Sequence, residues 1–361
     1  MKKRAAVRGW LLLPVLAAVV VFVPLPAWVI ESLYSRGVYP WVQSAVTLVS
    51  NLLAVALLDL LVLGTLLLTL FRVAQLMRSL SKAGVVEVAW EAVRRVLRTA
   101  ALIVLIFMLG WGLHYRRVPL QASVGDPPAP SVEHLTAAIG DANLLAAALR
   151  TRLGADDNIT YEEVAAQLQR PMVEALTQLG RPTRFRPGRP KFSLILGPFF
   201  TWAGVNGMLN PLALESVVHS ELLPFERGFV LAHEWAHLAG QADEAEASAV
   251  GWLACMKGGP ALAYSASLYL ILEAAGALTG PARAKALVSL DEGVRADLAQ
   301  IARRMSRQRP RVQRAASRVY DEYLRANQVE DGTASYGRAL TLILSPKLRE
   351  ALNSYRTPSG A

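Results

Sequence analysis

Two of the chain's five histidines, His233 and His237, stand four residues apart with Glu234 between them. They lie in the run Leu223-Pro-Phe-Glu-Arg-Gly-Phe-Val-Leu-Ala-His233-Glu234-Trp235-Ala236-His237-Leu-Ala-Gly240. On a helix, residues four apart share a face, so both imidazoles can hold one metal ion. Glu234 sits roughly 100° round from His233, able to reach a water on that ion without ligating it. Pro224 suits the first turn of such a helix, and Gly240 the position just beyond its end. This is the H-E-x-x-H arrangement of zinc peptidases. In such sites Zn2+ polarises the scissile carbonyl and lowers the pKa of a water towards ~7. The glutamate then takes a proton as general base and delivers it to the leaving amine.

The stretch Gln241-Ala-Asp243-Glu244-Ala-Glu246-Ala-Ser248 offers three acids as a third ligand. Asp243 holds the place where the H-E-x-x-H-x-x-G-x-x-H class puts its third histidine, and Gly240 fills that class's turn. Glu244 stands near the start of the next helix, with Ser248 one turn on to hydrogen-bond a ligand. Glu246 points roughly 200° away from Glu244, so the two do not readily share one ion. All three also suit a helix N-terminus electrostatically. Tyr336 is the candidate oxyanion donor. Gly204 to Asn210, with the strand before it, is the candidate edge for an extended peptide. His134 and His219 have no partner in the pattern and are read as structural.

These residues are carried by a chain of 361 residues, 53% apolar and 18% charged, with mean hydropathy +0.32. That balance is shifted towards a membrane protein. The single Cys255 excludes a disulfide framework and a cysteine-type structural zinc site. Of the net charge of +10, residues 1–117 carry +9, from 13 Lys/Arg and 4 Asp/Glu. A nucleic-acid partner would want a basic folded domain. Here the basic excess flanks apolar runs, so the expected partner is a lipid bilayer and not nucleic acid.

Three spans are expected, at about 10–30, 52–71 and 99–115. Gln43, Thr47, Ser50 and Asn51 make a polar stripe at helical spacing, which places that stretch in the membrane interface. Ten Lys/Arg lie before the first span or in the loop between the second and third, against Arg36, Arg116 and Arg117 on the other side. The positive-inside rule then puts the N-terminus in the cytoplasm and residues 118–361 outside it. Asp59, within the second span, reads equally as functional or as an aspartate pairing helices in the bundle.

Val118 to Pro130 reads as a linker. Thr160 and Glu163 form a capping box opening a helix to about Leu179, broken or kinked at Pro171. A basic loop spans Arg181 to Lys191, a strand Lys191 to Phe200 and a turn Gly204 to Pro211. Helices follow at about 224–238, 243–257, 260–278, 281–307, 310–327 and 346–354. The apolar Pro260–Leu278 stretch reads as a buried core helix and not as a fourth span. The fold class is mainly α: three N-terminal transmembrane helices in a membrane domain (1–117), then a mostly helical α+β zincin-like domain (118–361) with a short edge strand.

Several pieces agree in order and spacing with one family. They are Glu31-Ser-Leu-Tyr-Ser-Arg-Gly-Val-Tyr39-Pro40, Pro190-Lys191, Gly204-x-x-Gly207-x-x-x-Pro211-x-x-x-Glu215, His233-Glu-Trp-Ala-His237-x-x-Gly240, Glu244-Ala-Glu246-Ala247, Tyr320-Asp-x-Tyr323-Leu and Ser335-Tyr336-Gly337. Over nearly its full length the chain resembles the bacterial membrane proteins grouped as domain of unknown function 3810. The resemblance implies three membrane helices and a zincin-like domain. Glu244-x-x-Ala247 also resembles the third-ligand helix of membrane gluzincins, which favours Glu244 over Asp243. Those peptidases carry Asp where this chain has Ser248. The expected function is a membrane-anchored zinc metallopeptidase acting on a peptide or protein. The alternative is a zinc-stabilised sensor or scaffold of the same fold that does not cleave.

Overall fold

Pro24 and Pro26 shape the first departure from these expectations. The structure, a computed structural model, describes residues 10–80, 84–125, 127, 129–154, 158–327 and 338–354. Leu12–Phe22 is an apolar helix, but neither proline can donate to a helical ladder, and the chain breaks there. It turns by 107° into a second helical run, Ala27–Asn51, which includes the π-helical stretch Ile30–Val38 and the α-helix Tyr39–Asn51. The expected span at 10–30 is thus a helix of 11 residues followed by a near-perpendicular one.

The expected span at 52–71 is shifted, and the one at 99–115 is not among the described helices apolar enough to cross a membrane. Their helices run Leu57–Leu80 and Val85–Gly110, and Gly112–Arg116 is a 3-10 turn whose Gly112, Leu113 and His114 are buried in protein. Among the described residues, one helix is by itself long and apolar enough to cross a bilayer, over Leu57–Ser79, and the bent pair can supply a second. Leu66, Leu67, Leu70 and Phe71 are all exposed on it.

The polar stripe faces protein and not the aqueous side of an interface. Gln43, Thr47 and Ser50 are buried against protein: Gln43 donates to Arg186 O (2.7 Å) and Thr47 to Leu214 O (2.9 Å). Asp59 pairs with no helix. It lies in the first turn of Leu57–Leu80 and accepts from Ser193 Oγ and from Leu194 N (2.7 Å). Beside it, Glu215 accepts Leu57 N (3.0 Å) and Leu58 N (2.7 Å) while bonding the fully buried Lys191 ammonium (2.9 Å). A carboxylate at a helix start satisfies orphan N–H groups and complements the helix dipole.

The remaining elements form a mainly helical body. The capping box at Thr160 is present, and the helix it opens, Tyr161–Gln178, runs through Pro171 without ending. Pro260–Ala277 is a buried core helix packed along Val132–Leu153. The helix expected over 281–307 is two, Gly280–Val288 and Glu292–Met305, because Asp291 caps the second by accepting Gly293 N and Val294 N. Lys191 to Phe200 is not a strand. Only Lys191 bridges Val217, and Gly197–Ala203 is helical. The two described strands are Gly207–Asn210 and Glu215–Val218, antiparallel, with Gly207 opposite Val218 and Asn210 opposite Glu215. The main core joins Ile30, Tyr34, Tyr39 and Trp111 to Trp235 and Trp252, so packing is continuous across position 117.

Candidate metal site

The motif residues lie on the helix Pro224–Leu238, and the acids follow at the start of Glu244–Met256. Glu244, Ser248 and Gly251 recur at helical spacing and share one face of the second helix. At Gly251 that face touches the motif helix: a Cβ there would stand 2.9 Å from His233 N and 3.0 Å from Ala232 C. The missing side chain lets the two helices approach closely enough for a glutamate two turns earlier to reach both imidazoles.

His233 Nε2 and His237 Nε2 are 3.1 Å apart, and Glu244 Oε2 lies 3.2 Å from the first and 3.4 Å from the second. A tetrahedral ion with bonds of about 2.0–2.1 Å holds its ligand atoms about 3.3 Å apart, so the three donors fit one. The outer atoms are held too. His237 Nδ1 donates to Gln241 O (2.7 Å), which leaves its Nε2 lone pair for the centre. Ser248 Oγ is 3.2 Å from His233 Nδ1, so this serine orients a histidine and not the glutamate. Glu244 Oε1 accepts from Tyr320, on the helix Pro310–Ala326.

The other two acids are engaged elsewhere. Asp243 caps its helix, accepting Ala245 N (3.0 Å) and Glu246 N (3.1 Å), and pairs with Arg338 (2.7 Å). Glu246 faces away, bonding Arg181 (3.3 Å) and Leu120 N (2.5 Å). Arg181 and Arg117 in turn meet Glu31, which Arg117 grips through two bonds of 2.9 Å.

Glu234 is 3% exposed and its Oε2 has no hydrogen-bond partner among the described residues. The edge strand lies against it, since a Cβ on Gly207 would stand 2.7 Å from Glu234 Oε1. Burial pushes the Glu234 carboxyl up to about 8, with Glu244 adding to the rise and His237 opposing it. Burial also opposes charge on His237, but the Glu244 carboxylate outweighs it and raises the imidazole to about 9. Burial resists ionisation of Glu244 in the same way, yet the His237 and His233 rings hold it well below the usual range.

The end of the motif helix is finished by residues from the first third of the chain. Trp111 Nε1 donates to His237 O (3.1 Å), Tyr39 OH to Leu238 O (2.8 Å) and Arg117 Nη1 to Gly240 O (2.7 Å). These bonds satisfy carbonyls that a helix C-terminus leaves open. Sequence reasoning missed them, together with Tyr320 and Gly251. Tyr320 and Tyr39 stood in the matching family pieces, but no spacing rule ties them to the histidines. Tyr336 lies outside the described residues. His219 is buried and bonds Thr201 Oγ1 (3.0 Å) and Glu221 N (3.0 Å), away from the histidine pair.

The sequence profile described as protein of unknown function DUF3810 matches residues 34–344. The chain belongs to the DUF3810 family. The DUF3810 match begins at Tyr34 and ends at Leu344, so it takes in the Leu57–Leu80 and Val85–Gly110 helices as well as the histidine pair. No curated protein and no solved structure matches the chain.

Proposed function

We propose that this DUF3810 protein is a membrane-anchored, zinc-dependent metallopeptidase with a zincin-like domain. The supporting observation is the convergence of His233, His237 and Glu244 beside a buried Glu234 whose Oε2 has no partner among the described residues, under an edge strand. When bound, zinc supplies a Lewis acid and a water of lowered pKa. The chain's own residues do the rest. Gln241 O and Ser248 fix the imidazole orientations, and Tyr320 holds the outer oxygen of Glu244. Glu234 accepts a proton from the attacking water at its carboxylate and returns it to the leaving amine. The edge of Gly207–Asn210 away from its partner strand receives the substrate backbone in extended form.

The proposed topology uses the same atoms. Leu57–Leu80 and Val85–Gly110 are about 36 and 39 Å long at the helical rise, enough to cross a bilayer as a hairpin. Both are tied to the site domain at one end, through Glu215 and Trp111. The far end carries Arg78 and Arg94, so it faces the cytoplasm and the site lies outside. Leu12–Phe22 packs beside Val85–Gly110 as the third membrane element.

A zinc-stabilised sensor or scaffold is the second reading. It draws on the enclosure of Glu234, Glu244 and His237, none more than 6% exposed. Turnover separates the two. Digestion of an unfolded peptide pool by the purified full chain, abolished by a chelator and restored by zinc, supports the peptidase. A zinc-loaded chain that leaves the pool intact supports the scaffold.

A further inference from the structure

The helix Tyr39–Asn51 is amphipathic the wrong way round for a protein surface in water. Its polar residues Gln43, Thr47 and Ser50 face protein, while Trp41, Leu48, Val49 and Leu52 on the opposite side are exposed. Leu52 is 76% exposed. An outward stripe at this spacing requires an apolar medium or an apolar partner.

Three further observations name the medium. The run Ala27–Asn51 leaves Leu12–Phe22 at 107°, so if one helix stands in the bilayer the other lies along its surface. Leu57–Ser79, the helix able to cross a membrane, begins only six residues after Asn51 and is pinned there by Glu215 and Asp59. The residues held by Asp59 belong to a second exposed apolar element, in which Leu194 is 81% exposed beside Ile195. Exposed Arg184, Arg186 and Arg189 border Tyr39–Asn51: the Arg184 guanidinium stacks 3.2 Å from the Trp41 ring centroid, Arg186 N donates to Gln43 and Arg189 N to Asn51. Arginine and tryptophan together suit the level of lipid headgroups.

We propose that the outer face of Tyr39–Asn51 and the Leu194–Ile195 loop form an in-plane platform that seats the metal-site domain on an anionic phospholipid surface. The hydrophobic residues enter the boundary between headgroups and acyl chains, and the three arginines meet phosphate. The platform lies close to the site. Asn210 bonds Glu215 at the start of the membrane helix, and Gly207, three strand residues or about 10 Å away, touches Glu234.

The experiment uses the full chain in lipid nanodiscs and does not depend on catalysis. Cys255 is buried, so a single introduced cysteine takes the fluorophore. Labels at Leu48→Cys and Leu194→Cys are compared with one at Leu144→Cys, an exposed control on Val132–Leu153. Lipid carrying a nitroxide near the headgroup should quench the first two several-fold more than the control, and aqueous iodide should quench them less. Adding phosphatidylglycerol to phosphatidylcholine should deepen the lipid quenching, and the triple variant R184Q/R186Q/R189Q should lose that increase. Iodide quenching equal to the control would overturn the proposal. Shielding from both quenchers would also overturn it, assigning the face to a second copy or another protein. An unchanged response to phosphatidylglycerol would overturn the anionic-lipid assignment.

Discussion

Gly251 lies directly against the main chain of His233, with room for no side chain between them: a Cβ there would meet His233 N at 2.9 Å and His233 Cα at 3.1 Å. The contact sets the distance between the helix that carries both imidazoles and the helix that carries Glu244. Gly251→Ala is therefore expected to push the helices apart, at a cost of about 1–3 kcal/mol from overpacking. Zinc affinity should fall with stability, because Glu244 reaches both rings only at the present spacing. Thermal unfolding and a zinc titration of the variant in detergent check both effects.

Tyr320→Phe removes one hydroxyl and the bond it donates to Glu244 Oε1. Losing an outer partner of a metal ligand typically costs about 10–100-fold in metal affinity. Asp243→Ala instead removes a helix cap, worth about 1 kcal/mol, and should leave zinc affinity nearly unchanged. A competition titration with a coloured chelator, run on both variants, reads the contrast.

Much of this site was legible because it is local. The i, i+4 spacing of His233 and His237 and the end signals Pro224 and Gly240 gave the motif helix almost to the residue. Spacing alone leaves three acids within four positions as third-ligand candidates; the resemblance favours Glu244, and packing at Gly251 turns that acid to the histidines. Tyr320 is 76 residues from Glu244, beyond any periodic pattern. Periodicity also found the Gln43–Thr47–Ser50 stripe, but it cannot say whether the polar side meets solvent or a polar protein surface. Gly207–Asn210 read as a turn from its Gly and Asn content. It is extended because Glu215–Val218 pairs with it, and because a glycine at 207 makes room for Glu234.

Among the described residues, Glu246→Ala leaves the buried Arg181 with Glu31 and Val118 O to meet it. Uncompensated buried charge makes such a loss expensive, up to about 3–5 kcal/mol. The folded fraction should still bind zinc, since Glu246 points away from the cluster. Chemical denaturation followed by tryptophan fluorescence, beside zinc analysis of the soluble fraction, tests the pair of outcomes.

The metal-free protein should lose stability as pH rises from 6.5 to 9. His237 keeps a proton up to about 9 when folded against 6.5 otherwise, and Glu234 up to about 8 against 4.5. A raised folded-state pKa contributes stability that is fully present below the unfolded value and is lost as pH passes the folded one. Zinc must displace the His237 proton, so the increase in Tm on adding zinc should grow across the same window. Calorimetry of chelated and zinc-loaded protein at pH 6.5, 7.5 and 9 measures both trends.

We propose that His233, His237 and Glu244 hold a zinc ion which Glu234 serves without ligating. It is tested most directly by measuring zinc stoichiometry and peptide hydrolysis together on wild type, Glu234→Gln and Glu244→Ala. Glu234→Gln should keep its zinc and lose turnover by about 10²–10⁴-fold, since an amide cannot accept the water's proton. Glu244→Ala should lose both. Full zinc in Glu244→Ala, or undiminished hydrolysis by Glu234→Gln, would contradict it.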